Sequence, residues 1–467
     1  MKKTNILKRP EEKKLEAVVL SIVIFTACIT LFSNLDNRYM WQDEAQTALI
    51  AKTVVSDGVP KGYDGVNFFS QWRGAEYGDN FIWKWHGWLT FYITAFFIKI
   101  AGFSHFSARL AFVIMGLLAV VSVYFLSKRI LKSVMSAGIA AYLFAICVPF
   151  VIMARQARYY SPAIFFSVFS LLSYYFVIEK KKYSALVFGA SLFLLFNTLH
   201  VYFYIVLAAV ITHAFLFHRQ MIKQVLVPAG IVFTISLPLM LMIYDVKAAG
   251  VFIFNPGSLG FFQMQKFYFA QLVGYLFNWV FIVAGVVVLA NAAASLKRNK
   301  TAPDPGMPLL FLFAFFILFV MGFASHTPFF RHIAVLIPVF CIFGAAIIRA
   351  FSAKSIALAA VLAVIMPLNW GLMAYMQEIT NDYDGPVEGI VKYLNENAEP
   401  GDIAAITYGD MPLKLYTGLR ILTGTTGEPL DDVKKARWVI LRANPVSEAV
   451  FDTRSHIMQN LNRDDFE

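Results

Sequence analysis

The feature that most constrains the fold of this 467-residue chain is its succession of long apolar segments. Twelve such segments occur, at 16–33, 86–101, 107–126, 134–153, 160–178, 184–198, 202–217, 222–244, 267–294, 307–324, 333–350 and 355–376. A run of about 20 apolar residues can cross the hydrocarbon core of a bilayer as a helix. Helices satisfy their own backbone hydrogen bonds there. The sequence therefore predicts an all-α polytopic membrane protein.

The composition agrees with a membrane location. Only 15% of the residues are charged and 59% are hydrophobic, whereas a soluble globular protein has about 25% charged residues. These values exclude an ordinary soluble enzyme, a disordered protein and a nucleic-acid-binding domain. The net charge of +11 combines a basic segment, 1–376, with an acidic one, 377–467, which carries 9 Lys or Arg against 16 Asp or Glu. The basic excess therefore concerns topology and anionic membrane lipid, and no nucleic-acid partner is expected.

The acidic segment 377–467 is predicted to be a small extracytoplasmic α/β domain that follows a transmembrane domain over 1–376. Its pattern indicates a helix near 386–397, a strand near 402–408, a turn at 409–412 and a strand near 437–442.

The distribution of Lys and Arg in the short connections predicts eleven membrane spans. The basic N-terminus indicates a cytoplasmic start followed by an uncleaved first span. The Lys- and Arg-rich connections then fall in the cytoplasm only if one early segment does not span. The weakest candidate is 86–101, which has 16 residues and contains Lys99. We expect it to lie in the interface or to be re-entrant, which leaves the C-terminal domain outside.

This topology creates a long first outer loop, 34–106. Loops of such length within a compact membrane domain are usually functional. Residues 43–57 within it predict an amphipathic surface helix with juxtamembrane character. Five of the eight tryptophans lie between Trp41 and Trp88, which is typical of an interfacial belt or of a site for a sugar or lipid headgroup.

Two adjacent carboxylates, Asp43 and Glu44, open the surface helix. Acidic residues in a first helical turn interact favourably with the helix dipole, by about 0.5–1 kcal/mol. The alternative is that Asp43 is a general base at the membrane surface, with Glu44 as its acidic partner. The pattern alone leaves both interpretations open.

Two predicted outer loops carry cationic residues against the positive-inside trend. Arg155 and Arg158 precede Tyr159 in one loop, and Arg331 precedes His332 in another. A spacing of three places the first two arginines on one helical face, and guanidinium groups suit phosphate oxygens. These residues are candidates either for binding a phosphate or for anchoring to lipid headgroups.

The segment that opens 86–101 adds two further candidates, Lys84 and His86. Snorkelling beside an aromatic belt explains them equally well. A metal site formed by His200, His326 and His332 has no spacing that supports it, and we predict no metal requirement. The three cysteines lie in apolar runs and imply neither a disulfide framework nor a zinc site.

Under the eleven-span topology, one acidic group and several cationic groups from four separate loops meet at the outer face. An acid–base residue beside a phosphate site suits group transfer from a lipid phosphate. The predicted spans are nearly free of ionisable residues, whereas ion-coupled transporters usually keep some within the membrane.

Several short motifs also occur in an ordered set along the chain. They are Asp43–Glu44 with Ala45, Ile50–Ala51 and Gly58; His86-Gly-Trp-Leu89; Gly102 and Phe106-Ser-Ala-Arg-Leu110; Ala154-Arg with Ala157-Arg-Tyr159; Phe330-Arg-His332 followed by Pro338; and Asp384-Gly-Pro, Tyr393-Leu, Gly401-Asp402 and Tyr416-Thr-Gly418. On these residues the chain resembles the GT-C class of polytopic glycosyltransferases. Within that class it is similar to the protein O-mannosyltransferase-like (family 39-like) group, which includes bacterial lipid A aminoarabinose transferases. It departs from the group at Gly87–Trp88, where members have two prolines.

The resemblance implies an inverting transfer of a sugar from a polyprenyl-phosphate donor to an acceptor hydroxyl. Asp43 would accept the proton of the acceptor, and Arg155, Arg158, Arg331 or Lys84 would stabilise the departing phosphate. Further site candidates are His86, Tyr159 and His332. No cofactor is required; a divalent metal is compatible with this chemistry but unsupported by the residues.

The acceptor is a lipid, a glycan or a protein, and the sequence does not distinguish among them. The resemblance implies a multi-pass protein of the inner or plasma membrane, with the active site and C-terminal domain outside. Two alternatives remain: a transporter or flippase, and a non-catalytic subunit that binds undecaprenyl lipid.

Overall fold

The helices follow the apolar segments closely. The computed structural model describes residues 10–244, 260–276, 278–299, 305–324, 329–368, 376–377, 379–380, 385–441, 454–459 and 461. Over the membrane part its helices are α1 Pro10–Phe32, α2 Gln42–Asp57, α3 Leu89–Ala101, α4 His105–Leu131, α5 Val134–Ala145, α6 Val148–Ala154, α7 Tyr160–Ile178, α8 Ser184–Thr198, α9 His200–Phe217, α10 Ile222–Tyr244, α11 Phe261–Tyr275, α12 Trp279–Asn299, α13 Gly306–Ala324, α14 Ile337–Ser352 and α15 Ile356–Ile365. Short 3₁₀ helices lie at Arg219–Met221 and Phe330–Leu336.

Within the described residues, seven helices are long and apolar enough to cross a membrane. Two predicted spans prove to be broken. The segment 134–153 forms α5 and α6, bent by 62°, and 267–294 forms parts of α11 and α12, bent by 108°. Pro149 in the first turn of α6 accounts for the first break, because proline cannot continue a helix without losing a backbone hydrogen bond. Counting each bent pair once gives up to nine spans, and the number eleven stays a prediction.

The segment 86–101 forms a helix only from Leu89, and this helix, α3, has 13 residues. At 1.5 Å per residue it is about 20 Å long, shorter than the roughly 30 Å hydrocarbon core. Helices α8 and α15 are also short. The length of α3 is compatible with the interfacial or re-entrant placement that the sequence predicts.

Helix α2 is present, but it is not the exposed amphipathic helix that the pattern predicts. Most of its side chains are buried, including the polar Gln42, Glu44 and Gln46. Its apolar residues share a core with α3, α4 and the C-terminal side chains Met411 and Leu415. These neighbours therefore bury the polar face of α2, which the sequence pattern predicts to be exposed to solvent.

The C-terminal part forms a three-stranded parallel sheet. Its elements are α16 Pro386–Asn397, β1 Ile403–Ile406, α17 Asp410–Tyr416, β2 Arg420–Leu422, a 3₁₀ helix at Asp431–Lys435 and β3 Trp438–Ile440, with strand order β2-β1-β3. The predicted helix and two strands are confirmed. The predicted turn at 409–412 is the start of α17, because Gly409 adopts φ +95° and redirects the chain into a helix.

The tryptophans of the predicted first outer loop differ in their burial. Trp83 is fully buried in the core beside α2, and the indole of Trp88 donates to its carbonyl. Trp72 remains half exposed and stacks on Trp85, with ring centroids 6.0 Å apart. Trp83 thus packs into the core, whereas Trp72 stays accessible, and both the belt and the headgroup-site interpretations stay predictions.

Candidate active site

Helix α2 presents its two acidic residues to different surroundings. Successive residues of an α-helix point about 100° apart, so Asp43 and Glu44 cannot share one site. Asp43 faces a partly open polar cluster with its side chain 13% exposed. Glu44 points into the protein and is 1% exposed.

The carboxylate of Asp43 is surrounded by three donors from three separate parts of the chain. Arg331 Nη1 lies 3.1 Å from Oδ2, and Arg158 Nη2 lies 3.8 Å from the same oxygen. The amide of Gln71 donates to Oδ1 at 3.2 Å. The predicted second and late outer loops therefore meet at the predicted acidic residue.

Arg158 is held by α2 on one side. Its Nη1 donates to Gln46 Oε1 at 3.2 Å, to Thr47 Oγ1 at 3.3 Å and to the carbonyl of Asp43 at 3.3 Å. Its guanidinium also lies 5.3 Å from the ring centroid of Tyr159. These contacts fix the guanidinium in a buried position at the edge of the cluster.

Arg331 is held by aromatic residues. Its Nη1 lies 3.4 Å from the hydroxyl of Tyr160, and its guanidinium lies 4.4 Å from the ring centroid of Phe329. The 3₁₀ helix at Phe330–Leu336 carries it, and α14 follows directly. A guanidinium on an aromatic face keeps its edge donors available for other partners.

His86 is buried beside this cluster. Its ring stacks on Phe91 with centroids 5.2 Å apart, and it meets the ring of Tyr159 edge-on at 5.9 Å. Burial lowers the pKa of His86 to about 3, and the positive charge of Arg158 contributes to this shift. The imidazole is therefore neutral at physiological pH and acts here as a hydrogen-bonding group.

Three nitrogen atoms of the cluster are buried without a hydrogen-bond partner among the described residues: Arg158 Nε, Arg331 Nε and His86 Nε2. Buried polar atoms are nearly always paired in folded proteins. Two guanidinium groups beside one carboxylate also leave an excess of one positive charge. An anionic ligand with several acceptor oxygens would pair with the two guanidinium nitrogens and offset this charge. Neutral His86 carries its proton on Nδ1, 3.0 Å from the carbonyl of Gly87, so its Nε2 would instead accept from a donor such as a hydroxyl.

The other predicted site residues lie elsewhere. Arg155 donates to carbonyls at the end of α1, at 2.5 Å to Ser33 and 3.0 Å to Asn34. It thus satisfies carbonyls that a helix end leaves open, away from the carboxylate of Asp43. Glu44 forms a bidentate ion pair with Arg109.

Lys84 and His332 are described by contacts with other parts of the chain. The backbone N–H of Lys84 donates to the carbonyl of Glu76 at 2.8 Å, and its side chain extends over Gly78. The carbonyl of His332 accepts from the hydroxyl of Tyr202 at 3.0 Å. These contacts do not link either side chain to the Asp43 carboxylate, and their roles stay predictions.

The sequence analysis missed the residues that organise the loop facing Asp43. Glu76 is buried and accepts from the hydroxyl of Ser70, from the backbone N–H of Gln71 at 2.6 Å and from Gln46 at 3.3 Å. Burial raises the pKa of Glu76 to about 7, although these donors oppose the rise. Gln71 also contacts Asp43, and Gln46 also contacts Arg158. Glu76 therefore helps to position the side chains that bind Asp43 and Arg158. No spacing in 66–80 marks it.

Among the described residues, no three His, Cys, Asp or Glu side chains are grouped closely enough to hold a metal ion. The structure includes His200 and His332 of the metal site considered from sequence. His326, together with residues 325–328, lies outside the described residues.

Comparisons with known proteins agree on the architecture. A family model described as dolichyl-phosphate-mannose-protein mannosyltransferase matches residues 85–244. Comparison with curated protein sequences gives no match. The apo structure of ArnT from Cupriavidus metallidurans is 10% identical, with a TM-score of 0.61 over 97% of this chain and 89% of ArnT. ArnT bound to undecaprenyl phosphate is 11% identical, with a TM-score of 0.58 over 97% of this chain and 90% of ArnT.

The oligosaccharyltransferase of Archaeoglobus fulgidus, tethered to an acceptor peptide with an NVT sequon, is also similar in structure. It is 12% identical, with a TM-score of 0.60, and the match covers 88% of this chain but 64% of that one. The chain thus spans less than two thirds of the oligosaccharyltransferase. These likenesses confirm that this multi-pass membrane protein has the fold of the GT-C class of polytopic glycosyltransferases.

Proposed function

We propose that this chain is a membrane glycosyltransferase that moves a sugar from a polyprenyl-phosphate donor to an acceptor hydroxyl, with inversion at the anomeric carbon. The observation that carries the proposal is the position of the Asp43 carboxylate between Arg331 and Arg158. Each guanidinium has a buried nitrogen without a hydrogen-bond partner in the part of the chain that the structure describes. A proton acceptor and an anion site therefore lie within one partly open cluster.

In the proposed reaction, the Asp43 carboxylate accepts a proton and the two guanidinium groups stabilise the leaving phosphate. The acceptor hydroxyl attacks the anomeric carbon, and its proton passes to the carboxylate of Asp43. The bond from that carbon to the phosphate oxygen breaks, and its electron pair leaves with the phosphate. Arg331 and Arg158 stabilise the charge that develops there. No general acid is needed, because the leaving phosphate is already a stable anion.

In the structure Arg331 contacts the carboxylate that would serve as base. Donor binding would draw this guanidinium toward the phosphate, whose oxygens offer more acceptor positions than the single Oδ2. Asp43 would then be free to accept the proton of the attacking hydroxyl. The base would thereby become available only when the leaving group is in place.

Two similar structures support a lipid-phosphate donor. ArnT from Cupriavidus metallidurans binds undecaprenyl phosphate, and the oligosaccharyltransferase from Archaeoglobus fulgidus has been captured with dolichol phosphate. By analogy we propose that the donor is held at the outer face of the inner or plasma membrane, beside the extracytoplasmic domain. The acceptor is a lipid, glycan or protein hydroxyl, and no metal is required.

The test is turnover of radiolabelled undecaprenyl-phosphate sugars, beginning with mannose, by the purified full chain in nanodiscs, with native membrane extract as the acceptor source. Asp43→Asn should abolish transfer and donor hydrolysis. The matched control is Asp57→Asn at the other end of α2, where the carboxylate pairs with Lys61 at the surface. This variant should keep wild-type turnover.

Each alternative predicts a different result. Equal turnover by wild type and Asp43→Asn would remove Asp43 from the mechanism. Retention of undecaprenyl phosphate without consumption of any sugar in the panel would favour the non-catalytic lipid-binding subunit. Movement of intact donor between leaflets of proteoliposomes would favour a flippase.

A further inference from the structure

The helix that carries Asp43 begins without a local cap. Its N-cap residue is Trp41, whose side chain makes no capping hydrogen bond within the described chain, whereas the favoured N-cap residues supply a side-chain oxygen. Gln42, the first helical residue, is instead bound by the C-terminal domain. Its Nε2 donates to Asp410 Oδ1 at 2.8 Å, and its Oε1 accepts from the backbone N–H of Met411 at 3.2 Å.

The same short helix, α17, also contacts the loop that carries Gln71. Lys414 Nζ lies 2.5 Å from Asp410 Oδ2, and both side chains are fully buried. The ammonium group donates in addition to the carbonyl of Phe68 at 2.7 Å. Three residues further along the loop, Gln71 donates to the carboxylate of Asp43.

The loop is fastened to the C-terminal domain on both sides of Gln71. Before it, the side chain of Asn67 donates to the carbonyl of Leu419 at 3.0 Å and accepts from the N–H of Ile421 at 2.8 Å. After it, the N–H of Arg73 donates to the carbonyl of Thr425 at 2.8 Å. The position of Gln71 therefore depends on the C-terminal domain as well as on the loop itself.

We propose that the C-terminal domain completes the active site, with Gln42, Asp410 and Lys414 as positioning residues for Asp43 and Gln71. This inference rests on the proposed function. One buried chain of contacts, from Gln42 through Asp410 and Lys414 to the Phe68 carbonyl, sets the distance between the start of α2 and the loop. The domain thus acts on the reaction although the hydrogen bonds and ion pairs described for the Asp43 carboxylate come from Gln71, Arg158 and Arg331.

A reciprocal exchange of amide and carboxylate tests this chain of contacts. Gln42→Glu places a carboxylate against Asp410 in a buried setting, where like charges repel strongly. Adding Asp410→Asn restores a donor–acceptor pair, because the new amide donates to the new carboxylate and its oxygen still accepts from Lys414. The double variant keeps the shape of the contact with the donor and acceptor reversed.

The first readout is turnover of the undecaprenyl-phosphate sugar that wild type consumes. Gln42→Glu should lower kcat on the order of 10²-fold, the effect of roughly 1 Å of misplacement, while KM for the donor changes little. The double variant should recover at least about a tenth of the wild-type kcat, since the restored pair returns most of the positioning. The second readout is hydrogen exchange of peptides from 67–76 in the full chain, which should quicken in Gln42→Glu and return in the double variant.

The two readouts separate the inference from the function on which it rests. Wild-type kcat and exchange in Gln42→Glu would overturn the positioning role. A loss of kcat in both the single and the double variant, with hydrogen exchange unchanged, would also overturn the positioning role. The contact between Gln42 and Asp410 would then not be the cause of the lost activity. If wild type consumes no donor while exchange follows the expected order, the proposed function fails and the structural coupling of the domain stands.

Discussion

Glu44 and Arg109 form a bidentate ion pair that is closed to solvent. Arg109 Nε and Nη2 each donate to one carboxylate oxygen of Glu44 at 2.9 Å, and the side chains of Arg109 and Glu44 are 5% and 1% exposed. Glu44 Oε1 also accepts from the backbone N–H of Ala157 at 2.7 Å. The pair joins α2, α4 and the loop that carries Arg158. It therefore stabilises the elements around Asp43 without contacting the Asp43 carboxylate.

We expect Glu44→Gln to lower the Tm more than Asp43→Asn does. Loss of one partner from a buried ion pair costs about 3–5 kcal/mol, so Glu44→Gln should lower the Tm of the purified protein markedly. Asp43→Asn should lower the Tm less, because the side chains of Asp43 and Arg331 are 13% and 28% exposed, so water can solvate the guanidinium that loses its partner. Thermal unfolding of both variants in the same detergent measures the difference, and equal Tm values would contradict the structural role of Glu44.

Replacing Arg331 should affect the reaction itself. Arg331→Gln removes a guanidinium that lies 3.1 Å from Asp43, and loss of a donor that stabilises developing negative charge typically lowers kcat by about 10²–10³-fold. KM for the lipid donor should rise as well, because the phosphate loses a cation. Steady-state kinetics should show no such change in Arg437→Gln, a control whose guanidinium lies on the surface of the C-terminal domain. Unchanged donor kinetics in Arg331→Gln would argue against a phosphate role.

The buried Glu76 should make the loop facing Asp43 sensitive to pH. Burial raises the pKa of Glu76 from 4.5 to about 7, so the folded loop binds a proton more tightly than the unfolded chain. Protonated Glu76 contributes at most about 3 kcal/mol to the free energy of unfolding. This contribution is complete below about pH 4.5 and is lost as the pH rises through about 7. The backbone amides of 67–76 should therefore exchange faster at about pH 8 than at about pH 5, after correction for the intrinsic exchange rate. Glu76→Gln should remove this dependence, and a persistent dependence would assign it to another group.

Gly87 allows a close approach that a larger residue would prevent. A Cβ at this position would overlap the backbone carbonyl of Asn197 at the end of α8. Gly87→Ala should therefore destabilise the protein by about 1–3 kcal/mol and lower turnover, since His86 is the neighbouring residue. Gly230→Ala, inside α10 where the Cβ meets no atom of the described chain within 4 Å, should be neutral or stabilising by up to about 1 kcal/mol. Thermal unfolding and turnover of both variants provide the comparison, and equal behaviour would mean that the two backbones can separate freely.

Two departures from the sequence predictions have clear physical reasons. The arginines at 155 and 158 share a spacing that suits one helical face, but the chain between α6 and α7 is not helical there. Arg155 consequently turns to the end of α1, and Arg158 turns to Asp43. Glu44, predicted as the acidic partner of Asp43, instead pairs with Arg109, because successive residues of a helix point about 100° apart.

The apolar segments by themselves determined that the chain forms a bundle of membrane helices, because unpaired backbone groups are too costly in lipid for any irregular structure. They also placed Asp43, Arg158 and Arg331 in separate connecting loops. Only the tertiary structure decided which of these residues meet. It selected Arg158 and Arg331 over Arg155, paired Glu44 with Arg109, and brought Gln71, Glu76 and the C-terminal helix α17 to the site. These contacts join residues up to 369 positions apart, and such pairing depends on how whole helices pack rather than on any local pattern.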